Sequence, residues 1–330
     1  TSILERGHQL RAVFEMRVIR RKGVPASCGD HPIELESRHP RDPVCRVYKD
    51  VGDGAAVSAR LEVPRRSRPQ VERMLPSESD GVDFARHLRG MYTIALHDPA
   101  ENLLLLARDP FGIKPLYYCE TDEGLAFASE PAALVAAGFA NADVNKQACI
   151  ELLQLQFTTG TQTLYSGIRR VAPGETLVIR DGRIIDRRLI RALPEGPPET
   201  ISETRALARL DEALMNSVDF HQRSDVPYGM FLSGGIDSSA LLALMARLND
   251  KPVRTYTAGF PGTAARDERD HARIVANALK AEVVDVPVTE QDFWTHLPAM
   301  AAAMDDPVAD YAIVPTWLLG RAAGQDLKVV

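Results

Sequence analysis

The sequence predicts a two-domain protein of α/β and α+β class, with an α+β domain first and a parallel α/β domain second. The chain has 330 residues, enough for about two domains of roughly 100–200 residues each. From residue 91 to a helix that starts after Ser129, paired strands followed by that helix are typical of a layered α+β domain. From Tyr228 onward, strand, glycine loop, helix and strand alternate, which is typical of a parallel sheet.

Composition and charge exclude several classes of protein. Hydrophobic residues make up 45% and charged residues 25%, the balance of a globular protein rather than a disordered chain. The net charge of −6 argues against non-specific nucleic-acid binding. No apolar run reaches the 18 or so residues of a membrane span, and no signal peptide opens the chain. We therefore expect a cytoplasmic protein with no nucleic-acid or membrane partner.

The cysteines support the same compartment. They are too widely spaced for a disulfide framework or a zinc site, so we expect a reducing environment. The four positions are Cys28, Cys45, Cys119 and Cys149.

Residues 1–76 form a segment that no domain explains. The stretch is rich in basic residues and proline, as in residues 64–69, and much of it lacks helical or strand periodicity. One interpretation is a basic arm for nucleic acid or a partner. The other is a disordered or frame-shifted stretch, which we favour because the basic clusters at 20–22, 39–43 and 64–69 contain no Phe, Trp or Tyr for base stacking.

The first domain is predicted over residues 77–183. A short helix ends at Gly90. Ser129 is expected to cap a helix that carries Glu130 in its first turn. The predicted strands pair in chain order: 91–96 with 103–107, 116–118 with 125–128, and the two arms of a hairpin around Gly174 and Gly182.

The second domain is predicted over residues 201–330, after a proline-rich linker at residues 184–200. Ser202 and Thr204 open its first helix. Residues 327–330 have the character of a buried strand that continues past the sequence given, and the chain starts with Thr1 rather than Met. We therefore expect a chain truncated at both ends. The apolar positions of the first helix are Leu207, Leu210, Leu214 and Val218.

The loop at residues 233–239 carries the chemistry. It joins an apolar strand to a helix, so its glycines let the backbone approach an anion and the helix turns free N–H groups toward it. Asp237 would repel phosphate without a cation, which predicts Mg²⁺ at this residue. The alternative is an ordinary glycine–serine turn with a helix cap. The candidate phosphate-binding residues are Ser233, Gly234, Gly235, Asp237, Ser238 and Ser239.

The loop departs from two common nucleotide-binding patterns. It lacks the lysine of the Walker sequence and the spacing of the dinucleotide-binding glycines. It resembles instead the pyrophosphate loop of the ATP-pyrophosphatase superfamily, and residues 223–239 resemble the glutamine-hydrolysing asparagine synthetase family in particular. Three more stretches resemble that family in the same order: 108–118, 127–130 and 167–174. The resemblance covers about residues 80–330.

The resemblance implies a partial Ntn-type α+β glutaminase sandwich followed by a Rossmann-like parallel α/β synthetase domain. It implies ATP-dependent amidation of aspartate to asparagine, with glutamine or ammonia as donor, through a β-aspartyl-adenylate and release of pyrophosphate. The loop would hold pyrophosphate, with Mg²⁺ on Asp237, and the backbones of Leu232 and Ala258 would lie beside adenosine. The implied partners are small molecules, namely aspartate, glutamine and ATP, and a homodimer is kept open.

An acidic stretch at residues 305–310 has two interpretations. Asp306 and Asp310 belong to a substrate cleft in the first interpretation and to a solvated turn after a helix in the second. The sequence favours neither.

The sequence departs from the family at the glutaminase site. The family uses an N-terminal cysteine, whereas residue 1 is Thr, so we identify no catalytic residue for glutamine hydrolysis. We expect this chain alone to be inactive. Two alternatives stay open: a related synthetase acting on another carboxylate, of β-lactam-forming or peptide-cyclising type, and a non-catalytic nucleotide-binding fragment.

Overall fold

The computed structural model describes residues 17–20, 33–34, 46–47, 57–58, 81–98, 101–224, 226–263 and 267–330. These residues fall into two compact units. The amino-terminal unit lies within Leu10–Glu195 and also contains Asp305–Ala309, and the carboxy-terminal unit comprises Gly196–Met304 and Asp310–Val330. Most of residues 1–76 lie outside the described residues, so their predicted irregularity stays a prediction.

The amino-terminal unit contains two antiparallel sheets. The five-stranded sheet has the order β4-β1-β8-β7-β9, the four-stranded sheet has the order β11-β10-β6-β5, and β2 pairs with β3. The predicted hairpin pairings are confirmed, since β5 pairs with β6 and β7 with β8. The strands are β1 (Arg17–Arg20), β2 (Ile33–Glu34), β3 (Arg46–Val47), β4 (Val57–Ser58), β5 (Thr93–Asp98), β6 (Leu103–Arg108), β7 (Tyr117–Thr121), β8 (Gly124–Ala128), β9 (Ile168–Arg170), β10 (Glu175–Arg180) and β11 (Arg183–Leu189).

Side-chain alternation along these strands builds a core on both faces of each sheet. Leu104 and Leu106 of β6 belong to the same buried cluster as Leu125 and Phe127 of β8, so this cluster joins the two sheets. The intervening Leu105 belongs to a different cluster on the other face of its sheet. Because neighbouring residues in both sheets are buried on opposite faces, each sheet is an inner layer of the unit.

Short helices cover the outer faces of the two sheets. The 3₁₀ helix Gly81–His87 supplies Phe84 and Ala85 to the cluster that contains Leu105. Helix α1 (Pro131–Ala136) supplies Leu134 to the cluster on the outer face of β7 and β8. Helix α2 (Lys146–Leu155) follows and is capped by Asn145. The layers are therefore helix, sheet, sheet and helix.

The predicted cap of α1 is wrong. Glu130 rather than Ser129 is the N-cap residue, and its side chain makes no capping hydrogen bond. Proline favours the first helical position and disfavours helical backbone in the residue before it. Pro131 therefore fixes Glu130 in the extended conformation that an N-cap adopts, and it sets the helix start.

The predicted linker at 184–200 is wrong in its first residues. Arg183–Leu189 forms β11, which pairs with β10 through a turn at Asp181 and Gly182, both at positive φ. A two-residue turn with positive φ at both positions is the common connection of a tight hairpin. The hairpin predicted around Gly174 and Gly182 is therefore confirmed, but its second arm continues to Leu189, and the charged side chains of this edge strand led the linker to be placed too early. The segment between the two units that contains neither strand nor helix therefore begins at residue 190 and not at residue 184.

The carboxy-terminal unit is built on a parallel sheet of three strands, in the order β12-β13-β14. The helices alternate with the strands, as the sequence predicts. The elements are α3 (Glu203–His221), β12 (Gly229–Phe231), α4 (Ile236–Leu248), β13 (Arg254–Gly259), α5 (Arg269–Ala278), β14 (Glu282–Pro287), α6 (Glu290–Ala303) and α7 (Ile313–Asp326).

Helices cover both faces of this sheet. Residues of α3, α4 and α5 share one buried cluster with Met230 of β12. Residues of α7 pack with Tyr256 of β13 in the other cluster. Ser202 caps α3 by accepting a hydrogen bond from the Arg205 N–H, which confirms the predicted helix start. Of its four predicted apolar positions only Val218 is buried.

The last residues of the chain run beside β12. Val329 forms a parallel bridge with Tyr228, and its carbonyl accepts a hydrogen bond of 3.1 Å from the N–H of Gly229. The extended segment after α7 therefore lies on the opposite side of β12 from β13. Among the helices of the described residues, none is long and apolar enough to cross a membrane.

Candidate phosphate-binding site

The loop at residues 233–239 follows the carboxyl end of β12, where the order in which the chain adds strands to the sheet reverses. From β12 the chain builds outward through β13 and β14 and then returns to the other side of β12 at Val329. In open parallel sheets ligands bind outside the carboxyl ends of the strands at such a switch point. The topology therefore favours this loop as a ligand site independently of its sequence.

Gly234 is required by the path of the loop. Its φ is +78°, in the left-handed region that side chains disfavour. A Cβ atom at this position would lie 2.8 Å from the backbone nitrogen of Ala272 and 3.0 Å from Cβ of His271, in the first turn of α5. The loop backbone therefore packs directly on a second helix start, which only glycine allows.

Helix α4 starts with no cap of its own. Its N-cap is Gly235, which has no side chain to accept hydrogen bonds. The first backbone bond of the helix runs from the Ser239 N–H to the Gly235 carbonyl at 3.0 Å. The N–H groups of residues 236–238 therefore have no acceptor within the helix, and the helix dipole adds positive potential there. Such a helix start binds anions.

Three serine hydroxyls line the same loop. The hydroxyls of Ser233 and Ser238 lie 3.0 Å apart, and the Gly235 N–H donates to the Ser233 hydroxyl at 3.3 Å. The Ser239 hydroxyl is covered from solvent and has no hydrogen-bond partner among the described residues. A covered hydroxyl without a partner costs free energy that a bound acceptor would recover. The loop therefore offers both backbone and hydroxyl donors to an anion.

Asp237 lies in the first turn of α4 and is exposed. Within the part of the chain that the structure describes, no group of three or more His, Cys, Asp or Glu side chains could hold a metal. Mg²⁺ does not need such a cage when it binds nucleotides, because one or two carboxylates, phosphate oxygens and waters complete its coordination. A single carboxylate beside a phosphate cradle therefore fits Mg²⁺ carried by a nucleotide.

Leu232 and Ala258 lie on neighbouring strand ends. The Leu232 N–H donates to the Tyr256 carbonyl at 2.9 Å, and the Thr257 hydroxyl donates to the Leu232 carbonyl at 2.8 Å. The N–H of Leu232 is therefore already used within the sheet. Leu232 is also buried, with 1% of its surface exposed, so its side chain offers no open face to a nucleoside.

Asp306 and Asp310 belong to different units. Asp306 lies in the amino-terminal unit, where Arg170 donates from Nε at 2.6 Å and from Nη2 at 2.7 Å, and the Tyr117 hydroxyl donates at 2.6 Å. Asp310 lies in the carboxy-terminal unit and accepts from the Ala312 N–H at 2.8 Å, at the start of α7. Each carboxylate therefore has a structural partner within its own unit.

Within the stretch at 108–118, residues 109–116 form a tightly bonded loop between β6 and β7. The Arg108 guanidinium donates to the carbonyls of Gly112, Lys114 and Val171, each at 2.7 Å. The Asp109 carboxylate is buried and accepts from three backbone N–H groups of the loop. Burial of a carboxylate requires such partners. The residues that carry the sequence resemblance here therefore fix the shape of the loop.

Asp267 and Arg269 lie at the carboxyl edge of β13 and belong to no motif in the sequence. The Asp267 carboxylate accepts from Nε of Arg269 at 2.9 Å and from the Phe260 backbone N–H. These bonds hold the pKa of Asp267 at about 2, well below its usual value. Opposite charges two residues apart are a weak signal in a sequence, and only the fold shows where the pair lies.

Comparison with known proteins agrees with the resemblance. The family model described as "Asparagine synthase" matches residues 209–330, and the model described as "Glutamine amidotransferase domain" matches residues 66–189. The chain is 33% identical over 248 residues to asparagine synthetase [glutamine-hydrolyzing] 1 of Bacillus subtilis, covering 75% of this chain and 38% of the relative. It is 36% identical over 257 residues to a putative asparagine synthetase [glutamine-hydrolyzing] of Mycobacterium tuberculosis, covering 76% and 39%.

A more distant relative matches the same share of the chain. The putative asparagine synthetase [glutamine-hydrolyzing] 2 of Methanocaldococcus jannaschii is 28% identical over 254 residues, covering 76% of this chain and 49% of the relative. The chain thus spans less than half the length of these relatives.

Proposed function

Because the chain belongs to the glutamine-hydrolysing asparagine synthetase family, we propose that it contributes to ATP-dependent amidation of aspartate. The product is asparagine, the nitrogen donor is glutamine or ammonia, and the reaction passes through a β-aspartyl-adenylate with release of pyrophosphate. This makes the protein a C–N ligase that uses ATP and Mg²⁺.

The observation that carries this proposal is the uncapped start of α4 beside the loop at residues 233–239, referred to below as the serine loop. Its free N–H groups, its dipole and the unpartnered hydroxyl of Ser239 are donors for a bulky anion. The site lies at the carboxyl edge of a parallel sheet, where nucleotides bind in related topologies. A pyrophosphate group has the charge and the number of acceptor oxygens that this set of donors requires.

The chemistry of the proposed reaction explains why a pyrophosphate cradle is needed. A carboxylate is a poor electrophile, and joining it to AMP provides a leaving group that ammonia can displace. Negative charge develops on pyrophosphate as it departs, and fixed N–H donors and serine hydroxyls stabilise it without reorganising. Mg²⁺, held beside Asp237, would supply further charge neutralisation when bound.

The proposed domains follow from the same family assignment. We propose that residues 77–189, the predicted 77–183 extended by the rest of β11, form the glutamine amidotransferase domain, of Ntn type, and that residues 201–330 form part of a Rossmann-like synthetase domain. The layered sheets of the amino-terminal unit and the parallel sheet of the carboxy-terminal unit support these two assignments. We place the linker between these two domains at residues 190–200, because β11 ends at Leu189.

The test is pyrophosphate release by the longest polypeptide that contains this sequence. The assay supplies ATP and Mg²⁺ with aspartate and ammonia, and then replaces ammonia by glutamine. We expect release that depends on aspartate and that is lost in Asp237→Ala. The matched control is Asp250→Ala, which removes an exposed carboxylate beyond the other end of α4 and should leave release unchanged.

The other outcomes distinguish the alternatives. Release that ignores aspartate, while ATP still binds, would replace aspartate by another carboxylate. Glutamine failing where ammonia works would confine the proposal to the ammonia-dependent reaction. ATP binding without any release would indicate a nucleotide-binding protein, and no ATP binding would refute the assignment of the loop.

A further inference from the structure

The serine loop contains no cationic side chain. Between residues 233 and 239 the only charged group is the Asp237 carboxylate, so the loop itself carries a formal charge of −1. A bound nucleotide triphosphate adds several negative charges to the same place. Backbone donors and one divalent cation leave part of this charge unbalanced, so a cation from a neighbouring element is expected at this edge of the sheet.

Arg269 lies at that edge. Gly259 is the last residue of β13, and a Cβ atom built on it would lie 2.1 Å from Nε and 2.4 Å from Cδ of Arg269. The arginine side chain therefore lies directly across the carboxyl end of β13. Any residue larger than glycine at 259 would displace it.

The same helix turn contacts the loop. Arg269 is the first residue of α5, and Ala272 and His271 of this turn are the groups that a Cβ atom on Gly234 would strike. The first turn of α5 therefore contacts the loop at Gly234, after β12, and carries Arg269 across the end of the neighbouring strand β13. Both belong to the carboxy-terminal unit.

Asp267 orients the guanidinium. Its carboxylate accepts from Nε of Arg269 at 2.9 Å and from Nη2, and it also accepts from the Arg269 backbone N–H at 3.1 Å. The Arg269 side chain is only 24% exposed. Two nitrogen atoms of the planar fork bind Asp267, and among the described residues Nη1 has no acceptor, so it can serve a ligand.

We propose that Arg269 contacts the phosphate groups of the nucleotide, with Asp267 as the residue that positions it. This inference rests on the proposed function, because it assumes that the serine loop binds the pyrophosphate part of ATP. A guanidinium is suited to this role since it stays protonated and donates to two phosphate oxygens at once. It would do for this loop what the absent lysine does in Walker-type loops.

The test measures three affinities by calorimetry, for ATP, inorganic pyrophosphate and adenosine, each with Mg²⁺. Arg269→Gln should weaken the binding of ATP and pyrophosphate about 10- to 100-fold, the range for a lost hydrogen bond to a charged group. It should leave adenosine binding unchanged within about twofold. Arg269→Lys keeps the charge but not the fork, and it should recover part of the loss.

The matched control is Arg273→Gln. Arg273 lies one turn further along α5 and pairs with Asp270 and Asp285, so its removal changes the same charge on the same helix. We expect it to leave all three affinities within about twofold of the unchanged protein. Thermal melts of each variant establish that it is folded before it is titrated.

Each result decides the inference. Equal affinities for pyrophosphate in the two glutamine variants would overturn the role of Arg269 and leave the proposed function standing. A parallel loss of adenosine binding in Arg269→Gln would overturn it as well, because it would indicate a structural role. Failure of the unchanged protein to bind ATP would overturn both proposals.

Discussion

Removal of the Asp306 carboxylate should strongly destabilise the amino-terminal unit. Arg170 and Asp306 form a two-bond fork with distances of 2.6 and 2.7 Å, and their side chains are 13% and 17% exposed. The Tyr117 hydroxyl donates to the same carboxylate at 2.6 Å. In Asp306→Ala the guanidinium would stay covered without its counter-charge, and the tyrosine hydroxyl would lose its acceptor.

The magnitude follows from this burial. Breaking a buried ion pair by removing one partner costs roughly 3–5 kcal/mol. Arg170 keeps its hydrogen bonds to the Gln162 carbonyl and the Thr158 hydroxyl, and both partners keep some exposure, so we expect roughly 2–4 kcal/mol. For a unit of this size each kcal/mol lowers Tm by roughly 2–4 °C, which gives a decrease of about 4–16 °C.

The assay is differential scanning calorimetry, with hydrogen exchange in β7 and β9 to show which unit is affected. The matched control is Asp186→Ala, which removes one half of an ion pair to Arg188 whose partners are both more than 40% exposed. Solvent screening makes such a pair worth little, so its Tm should change by only a few degrees. Equal Tm values for the two variants would refute the reasoning, as would a decrease without faster exchange in β7 and β9.

Three more predictions test the interior of the same unit. Gly174→Ala should cost about 2 kcal/mol or more in denaturant melts, because φ is +72° and its Cβ would lie 2.0 Å from the Ile190 carbonyl; Gly160→Ala, at +63° in open space, should cost less. In a variant without the other cysteines, the buried Cys119 should react with Ellman's reagent only on unfolding, since burial raises its pKa to about 11, and an unfolded-like rate in the native protein would refute this. Burial raises the pKa of Tyr92 from 10 to about 12, so between pH 10 and 12 the unfolded chain loses the phenol proton that the folded chain keeps, and the free energy of unfolding should fall across this range. Tyr92→Phe should show a smaller decrease, and an equal decrease would contradict the assignment.

Local patterns predicted the parts of the fold that depend on local physics. The strand pairs of the first unit follow from apolar runs between turn residues, and the cap of α3 follows from Ser202. The serine loop is placed at a strand–helix junction by its glycines. The error at Ser129 was also local, because the preference of Pro131 for the first helical position outweighs that of serine for the cap.

Contacts between distant residues left no such pattern. Arg170 and Asp306 are 136 residues apart in sequence, and nothing in the acidic stretch indicates an arginine partner in the other half of the chain. The extent of β11 escaped prediction for a related reason, because its pairing with β10 rather than its own composition carries the hairpin as far as Leu189. Interpretation of Asp306 from its sequence neighbours therefore had no access to the partner that determines its role.

The charge at the carboxyl edge of the parallel sheet connects these findings to function. The serine loop offers donors but a negative formal charge, whereas α5 begins with Arg269 across the end of β13. Both features depend on glycine, at 234 and 259, because side chains there would separate the loop and the arginine from the helix start and the strand end. In the sequence, a glycine at the end of a strand predicts only a turn. In this fold, glycines at 234 and 259 let the loop and the Arg269 side chain pack against the same first turn of α5, and the proposed contact of Arg269 with a departing pyrophosphate depends on this packing.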